Sequence, residues 1–229
     1  IREFLRANAK LENQIAAITD KKRDTIRVAA YASIAMHWMP EILYRFRRVC
    51  PNIDVDLRMV DNAIEPFELL EKGRTDVIFA AKQAGFSCDW TPLCQDAMYA
   101  ILPPDYPLDG QETFPIEAFE GKEFLMPYGK FDLDVKAALS ANNVKPKIRP
   151  CHVDDETVIR MVGKGLGLSM MAEMMIRGRT NGVTAVPIEP ATGRELGMGL
   201  HMRESMPDGI LRLRECVLAF IGTLPGTES

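Results

Sequence analysis

The chain reads as an α/β protein of two lobes, on three grounds. An apolar run, Ile26 to Tyr31, has the make-up of a buried strand and leads into a helical pattern. Ile53, Val55, Leu57 and Met59 then alternate with Asp54, Asp56 and Arg58, the period of a strand with one wet face. A second apolar run, Val77 to Ala81, follows a helical stretch that stops at Gly73. Strand, helix, strand, helix, strand is the order of a parallel α/β unit, since parallel neighbours need a crossover and a helix supplies it. With 229 residues and 47% apolar content, the chain can bury one large core or two small ones.

The totals exclude several classes. A net charge of −4 argues against gripping nucleic acid, which takes a basic surface that displaces counterions. No apolar stretch approaches the length of a membrane span, and the charged start is no signal peptide. A cytoplasmic protein without membrane contact is therefore expected. Cys50, Cys88, Cys94, Cys151 and Cys216 are scattered and never form CxxC, which suits reduced thiols.

The elements follow in order. Ile1, Phe4, Asn8, Leu11, Ile15 and Ile18 recur at alternating steps of three and four, the seam of a coiled coil whose Asn8 would set the register. A lone amphipathic helix packed on its own domain is the alternative. This helical pattern is already under way at Ile1, so the sequence is expected to belong to a longer chain, and Lys21 to Asp24 read as a polar hinge. The first strand breaks at Ala32 and Ser33. Ser33 thus sits at a strand's carboxyl end and a helix start, where a hydroxyl can cap backbone N–H groups. In open α/β sheets such corners take small ligands, and a helix start favours anions. Pro40 suits a first turn, so a helix is expected from near Met39 to before Pro51. Trp38, Met39, Ile42, Leu43 and Phe46 would face inward, with Glu41, Arg45 and Arg48 outward. Asp61 and Asn62 mark a second strand-to-helix corner.

Residues 82–95 read as irregular, and a strand over 96–104 would carry the chain into the second lobe. There the pattern predicts a short helix after Pro115, a strand over 123–126 and a helix over about 131–142. A strand over 147–153, a helix over 155–162 and a glycine-rich return at 163–168 follow, and Val183 to Pro187 lead back. Residues 197–203 and a helix over 208–224, with Ile210, Leu213, Val217 and Ile221 on its apolar face, would rejoin the first lobe.

No catalytic set stands out, so neither an enzyme nor a cofactor is expected. The glycines at 163–167 follow a helix and precede a strand, the reverse of a phosphate cradle. His37, His152 and His201 show no metal-ligand spacing and no paired nucleophile. Asp154, Asp155 and Glu156 open a helix, where negative charge is favourable; recognition of a cation is the alternative. Met170, Met171, Met174 and Met175 suit core filling, or an adaptable pocket. What remains is a cleft of strand ends and helix starts. Ala32, Ser33 and Asn62 would come from the first lobe, and Pro127, Tyr128, Gly129 and Asp154 from the second. Backbone N–H groups there would suit a carboxylate. Ser33 and Asn62 as plain helix caps, and Lys130 as a solvated lysine rather than a counter-charge, are the alternatives.

The stretch TIRVAAYASIAMHWMPEILYRFRRVCPN, residues 25–52, has a strand, Ser-Ile-Ala, an apolar residue before Pro, LxxF with basic residues, and Pro-Asn. It resembles the opening of the effector-binding domain of LysR-type transcriptional regulators. Gly73-Arg74-Thr75-Asp76 before a buried strand, Tyr106-Pro107-Leu108 and Gly163 to Leu168 are similar to that family's GRxD, HPL and AGxGI elements, with Tyr106 in place of His. The likeness covers about residues 1–222. It implies a periplasmic-binding-protein-like (type 2) clamshell of two α/β lobes joined by two crossing strands and preceded by a linker helix at 1–20. Lobe I would comprise 25–96 and 194–222, and lobe II 97–193.

By the same resemblance the chain would sense a small-molecule effector, a carboxylate or other anion, in the interlobe cleft. Ser33 and Asn62 fall where family members place short polar residues, although serine or threonine is commoner than asparagine at the latter. A homodimer or homotetramer is implied, with promoter DNA bound only through an amino-terminal winged helix-turn-helix outside this sequence. A solute receptor of an uptake system shares the clamshell and is the rival reading.

Overall fold

The computed structural model describes residues 24–60, 62–127, 132–202 and 206–224. The expected linker helix at 1–20, and with it Asp61, Tyr128, Gly129 and Lys130, lies outside the described residues.

The first lobe is built on three parallel strands. β1 (Asp24–Tyr31) pairs on one side with β2 (Ile53–Val60) and on the other with β3 (Val77–Ala81). β3 is buried throughout, because helices cover both faces of the sheet, as a parallel sheet requires. The first crossover is split into α1 (Ala32–His37) and α2 (Met39–Val49), the latter with Pro40 in its first turn. Met39, Ile42 and Phe46 recur at helical spacing on its buried face. The second crossover is α3 (Glu65–Glu71), after which Gly73 turns the chain at a φ of +64° that a side chain would strain. Asp76 then clamps β1: its carboxylate accepts from the Arg27 backbone N–H at 3.0 Å and from the guanidinium at 3.0 and 2.8 Å. Thr75, buried beside it, donates its hydroxyl to the Arg27 carbonyl.

Two long strands carry the chain across. β4 (Asp89–Leu102) leaves the first lobe, and β10 (Gly193–Leu200) returns between β3 and β4, antiparallel to both. The main sheet runs β2-β1-β3-β10-β4-β9-β5, with β8 also on β4; β5 is Phe114–Pro115, β8 Ser169–Ala172 and β9 Thr184–Glu189. Lobe II adds a 3-10 turn at Ile116–Phe119 and the parallel pair β6 (Glu123–Met126) and β7 (Lys147–Pro150). Its helices are α4 (Leu133–Ala141), α5 (Asp155–Gly163) and the short α6 (Glu173–Ile176). α7 (Asp208–Ile221) closes the first lobe with Ile210, Leu213, Val217 and Ile221 buried.

Three apolar clusters result. One gathers β1, β3, α2, α3 and α7 around Ile34, Phe46, Phe79 and Val217; two others fill the second lobe around Phe114, Phe119 and Phe124, and around Leu125, Val158 and Met171. The fold is the expected α/β clamshell.

Several expected boundaries are corrected. Residues 89–95 are strand, not irregular. Pro92 argues against a central strand because it cannot donate to the ladder, but it pairs with Gly197 where the register slips by a bulge between Leu196 and Gly197. β7 stops at Pro150 instead of Val153. β2 loses its alternation at the end, leaving Met59 exposed and Val60 buried. Met170, Met171 and Met174 are core residues of β8 and α6.

Candidate functional site

A cavity of about 70 Å³ opens where the two lobes meet, with residues from both in its wall. On the measure in which one water needs about 10–15 Å³, it holds a ligand of only a few heavy atoms. The first lobe contributes the end of β1 (Tyr31), the start of α1 (Ala32 and Ser33), the end of β2 (Val60) and the turn at Asn62 and Ala63. The second contributes Asp132, Leu133 and Asp134 at the start of α4, Asp155 at the start of α5, and Met175 in α6. Arg194, at the beginning of the returning strand β10, completes the wall. The two-lobe sheet dictates this placement, because strand ends and helix starts of both lobes face one another across β4 and β10.

Of the predicted residues, Ala32, Ser33 and Asn62 come together here. Ser33 is buried but makes no capping bond; Tyr31 occupies the N-cap position of α1. Asn62 does cap: its side-chain oxygen accepts from the N–H groups of Ile64 and Glu65, and its amide donates to the Glu65 carboxylate. Pro127 and Asp154 are not part of the wall. Asp154 caps α5, its carboxylate accepting from the Thr157 N–H at 2.9 Å, and hydrogen bonding to Thr157 keeps its acidity high. Tyr128 and Gly129 fall outside the described residues.

The charged residues of the wall were not expected as a set. Arg194 is paired twice: Nε and Nη2 donate to one oxygen of Asp96, at 3.1 and 3.0 Å, and Nη1 donates to Asp134 at 3.2 Å. Asp96 is buried and the Arg194 side chain is 9% exposed, and the guanidinium also lies over the Tyr31 ring at 5.6 Å. Burial opposes the charge on Arg194, but Asp96 and Asp134 outweigh it and the pKa is raised. The other Asp96 oxygen accepts from the N–H of Met174, which ties α6 to the crossing strands.

Asp132 caps α4 through the Val135 N–H, and burial pushes its carboxyl up to about 6. Asp155 is 5% exposed and its Oδ1 has no hydrogen-bond partner. Burial, and then the nearby charge of Asp132, pushes it up to about 7. Burial likewise raises the pKa of Tyr31. Sequence signals did exist for part of this set: Asp155 opens a helix, and Asp132 and Asp134 precede an apolar helical pattern. Arg194 carried none, since its role depends on which strand runs beside β4.

Among the described residues three carboxylates, Asp132, Asp134 and Asp155, line the cavity beside one arginine, Arg194, which is already paired. Among the described residues no cluster of His, Cys, Asp or Glu is arranged to hold a metal ion. Nor, among them, is any helix long and apolar enough to cross a membrane.

Comparison with known proteins places these features in a family. A family model described as the LysR substrate binding domain matches residues 19–221. The chain is similar to the HTH-type transcriptional regulator TtuA of Agrobacterium vitis, 24% identical over 203 residues, covering 86% of this chain and 66% of that protein. Among solved structures it resembles the BenM effector binding domain with its effector benzoate, at a TM-score of 0.77 and 20% identity, covering 91% of this chain and 97% of that one. It also resembles the regulatory domain of CcmR from Synechocystis PCC6803 in complex with 2-PG, at a TM-score of 0.76 and 18% identity, covering 89% and 100%. The chain spans 66%, 56% and 60% of the lengths of three curated relatives, all HTH-type transcriptional regulators.

Proposed function

Since this chain belongs to the LysR substrate binding domain family, we propose that it is the ligand-sensing part of a DNA-binding transcriptional regulator. A small effector enters the cavity between the lobes and biases how subunits of a homodimer or homotetramer pack. That packing in turn positions winged helix-turn-helix domains on promoter DNA. The observation that carries this reading is the cavity itself, walled by Ser33 and Asn62 from one lobe and by Asp132 and Asp155 from the other. A ligand touching both walls binds one lobe arrangement more tightly than another, and such differential affinity is what shifts a conformational equilibrium. The curated relatives are regulators, not enzymes, and the wall presents acids and a paired arginine instead of a nucleophile with a base.

The test is a metabolite screen by thermal stabilisation, followed by calorimetry on the hits. Ser33→Ala should weaken a true effector by roughly 2- to 12-fold, the worth of one hydrogen bond of about 0.5–1.5 kcal/mol. Met175→Trp, which fills the cavity, should abolish binding. Hits that bind both variants as tightly as wild type would remove the cavity from the account.

A further inference from the structure

The geometry points to an effector that carries a protonated amine, with the ammonium group seated against Asp155 and Asp132. This assignment rests on the reading of the cavity as the effector site and names the chemistry that site selects.

The argument begins with what the wall leaves unpaired. Arg194 satisfies Asp96 and Asp134, so the one cation among the described residues of the wall is already engaged. Among the described residues Asp155 takes part in no ion pair, and its Oδ1 is buried without a hydrogen bond. Burying a carboxylate oxygen in that state is costly, and native structures keep such groups only where something else meets them. Carboxylates accept hydrogen bonds, and an ammonium brings three donors and a positive charge. A carboxylate ligand would instead meet three aspartates and find Arg194 already bound.

The charges around Asp155 set the pH dependence. Asp132 and Asp134 face it from the start of α4, Arg194 from β10, Arg179 from the turn after α6, Tyr31 from β1, and Asp154 and Glu156 from its own helix. With its carboxyl held up to about 7, Asp155 is part protonated at neutral pH, and an arriving ammonium expels that proton. Affinity for an amine therefore falls as pH drops below about 7, by up to about tenfold per pH unit for one linked proton.

Calorimetry on the 229-residue chain with three small probes of similar size tests this. Butylamine, a cation across the whole pH range, should bind at least tenfold more tightly than propionate or propionamide. Its binding enthalpy at neutral pH should change between phosphate and Tris buffers by the heat of the released proton. Asp155→Asn, nearly isosteric, should weaken butylamine tenfold or more and remove the buffer dependence. Propionate binding as well as butylamine, no probe binding at all, or unchanged butylamine affinity in Asp155→Asn overturns the assignment. The two readings fail separately. Propionate lost on Met175→Trp leaves the effector site standing and removes only the amine, whereas butylamine indifferent to Met175→Trp and to Asp155→Asn removes both.

Discussion

At the scale of single residues, the cavity wall trades stability for an acidic site. Asp155 has an ordinary carboxyl value of 3.8 when exposed and about 7 in the fold. Across that window the folded chain holds a proton that the unfolded chain has lost, so stability declines as pH rises from about 4 to about 7. Below the window both states are protonated, and above it both are ionised. Asp155→Asn removes this penalty. The variant should gain about 4 kcal/mol over wild type at pH 8, at about 1.4 kcal/mol for each of roughly three pKa units, and little at pH 4. Thermal melts of both proteins at the two pH values measure it; parallel curves would mean that Asp155 is not held above its ordinary range. Asp155 was visible in the sequence as a helix opener, but its convergence with Asp132 and Asp134 on one cavity was not. Two are separated from the third by a helix and a strand.

Among the elements, the crossing strands show where sequence patterning fails. Residues 89–95 contain Trp90, Pro92 and alternating polar residues that contradict a buried strand, yet they form the first half of β4. The bulge opposite Pro92 resolves the conflict, and Gly197 makes it workable. A Cβ at Gly197 would stand 2.7 Å from the Thr91 carbonyl oxygen and press into the Trp90 ring. That ring cannot retreat easily: its Nε1 donates to Glu195 at 2.8 Å and its face stacks on Phe67. Gly197→Ala should therefore destabilise the chain by about 1–3 kcal/mol, the usual cost of overpacking. Chemical denaturation would show this as a lower midpoint with an unchanged slope, and an unchanged midpoint would contradict the close approach. By contrast α2 and α7 were legible from their helical spacing alone, because an amphipathic face is a local property of the sequence.

On the scale of the whole molecule, β4 belongs to both lobes, pairing with β10 over its first part and with β8 and β9 over its last. The Arg194–Asp96–Asp134 cluster adds a buried link at the same crossing. Such continuity predicts that the two lobes unfold together. The chain's two tryptophans, Trp38 and Trp90, both sit in or against the first core, so fluorescence reports that lobe alone. Phe124→Ala in the second core should cost about 3–5 kcal/mol. If the lobes are one cooperative unit, the tryptophan transition shifts by that amount and coincides with the loss of helix by circular dichroism. A fluorescence transition unmoved by Phe124→Ala would show that the lobes melt independently.

Periodicity, glycine stops and proline positions in the chain were enough to establish an α/β fold, the first three strands, α2, α5 and α7, and Ser33 at a strand-to-helix corner. Those features depend on neighbours within a few residues, where 3.6- and 2-residue periods act directly. The tertiary structure alone decided the length of β4, the acidic character of the cavity and the pairing of Arg194. Each depends on which distant segments the sheet lays side by side, and burial of a charge acquires its energetic meaning only once those neighbours are in place.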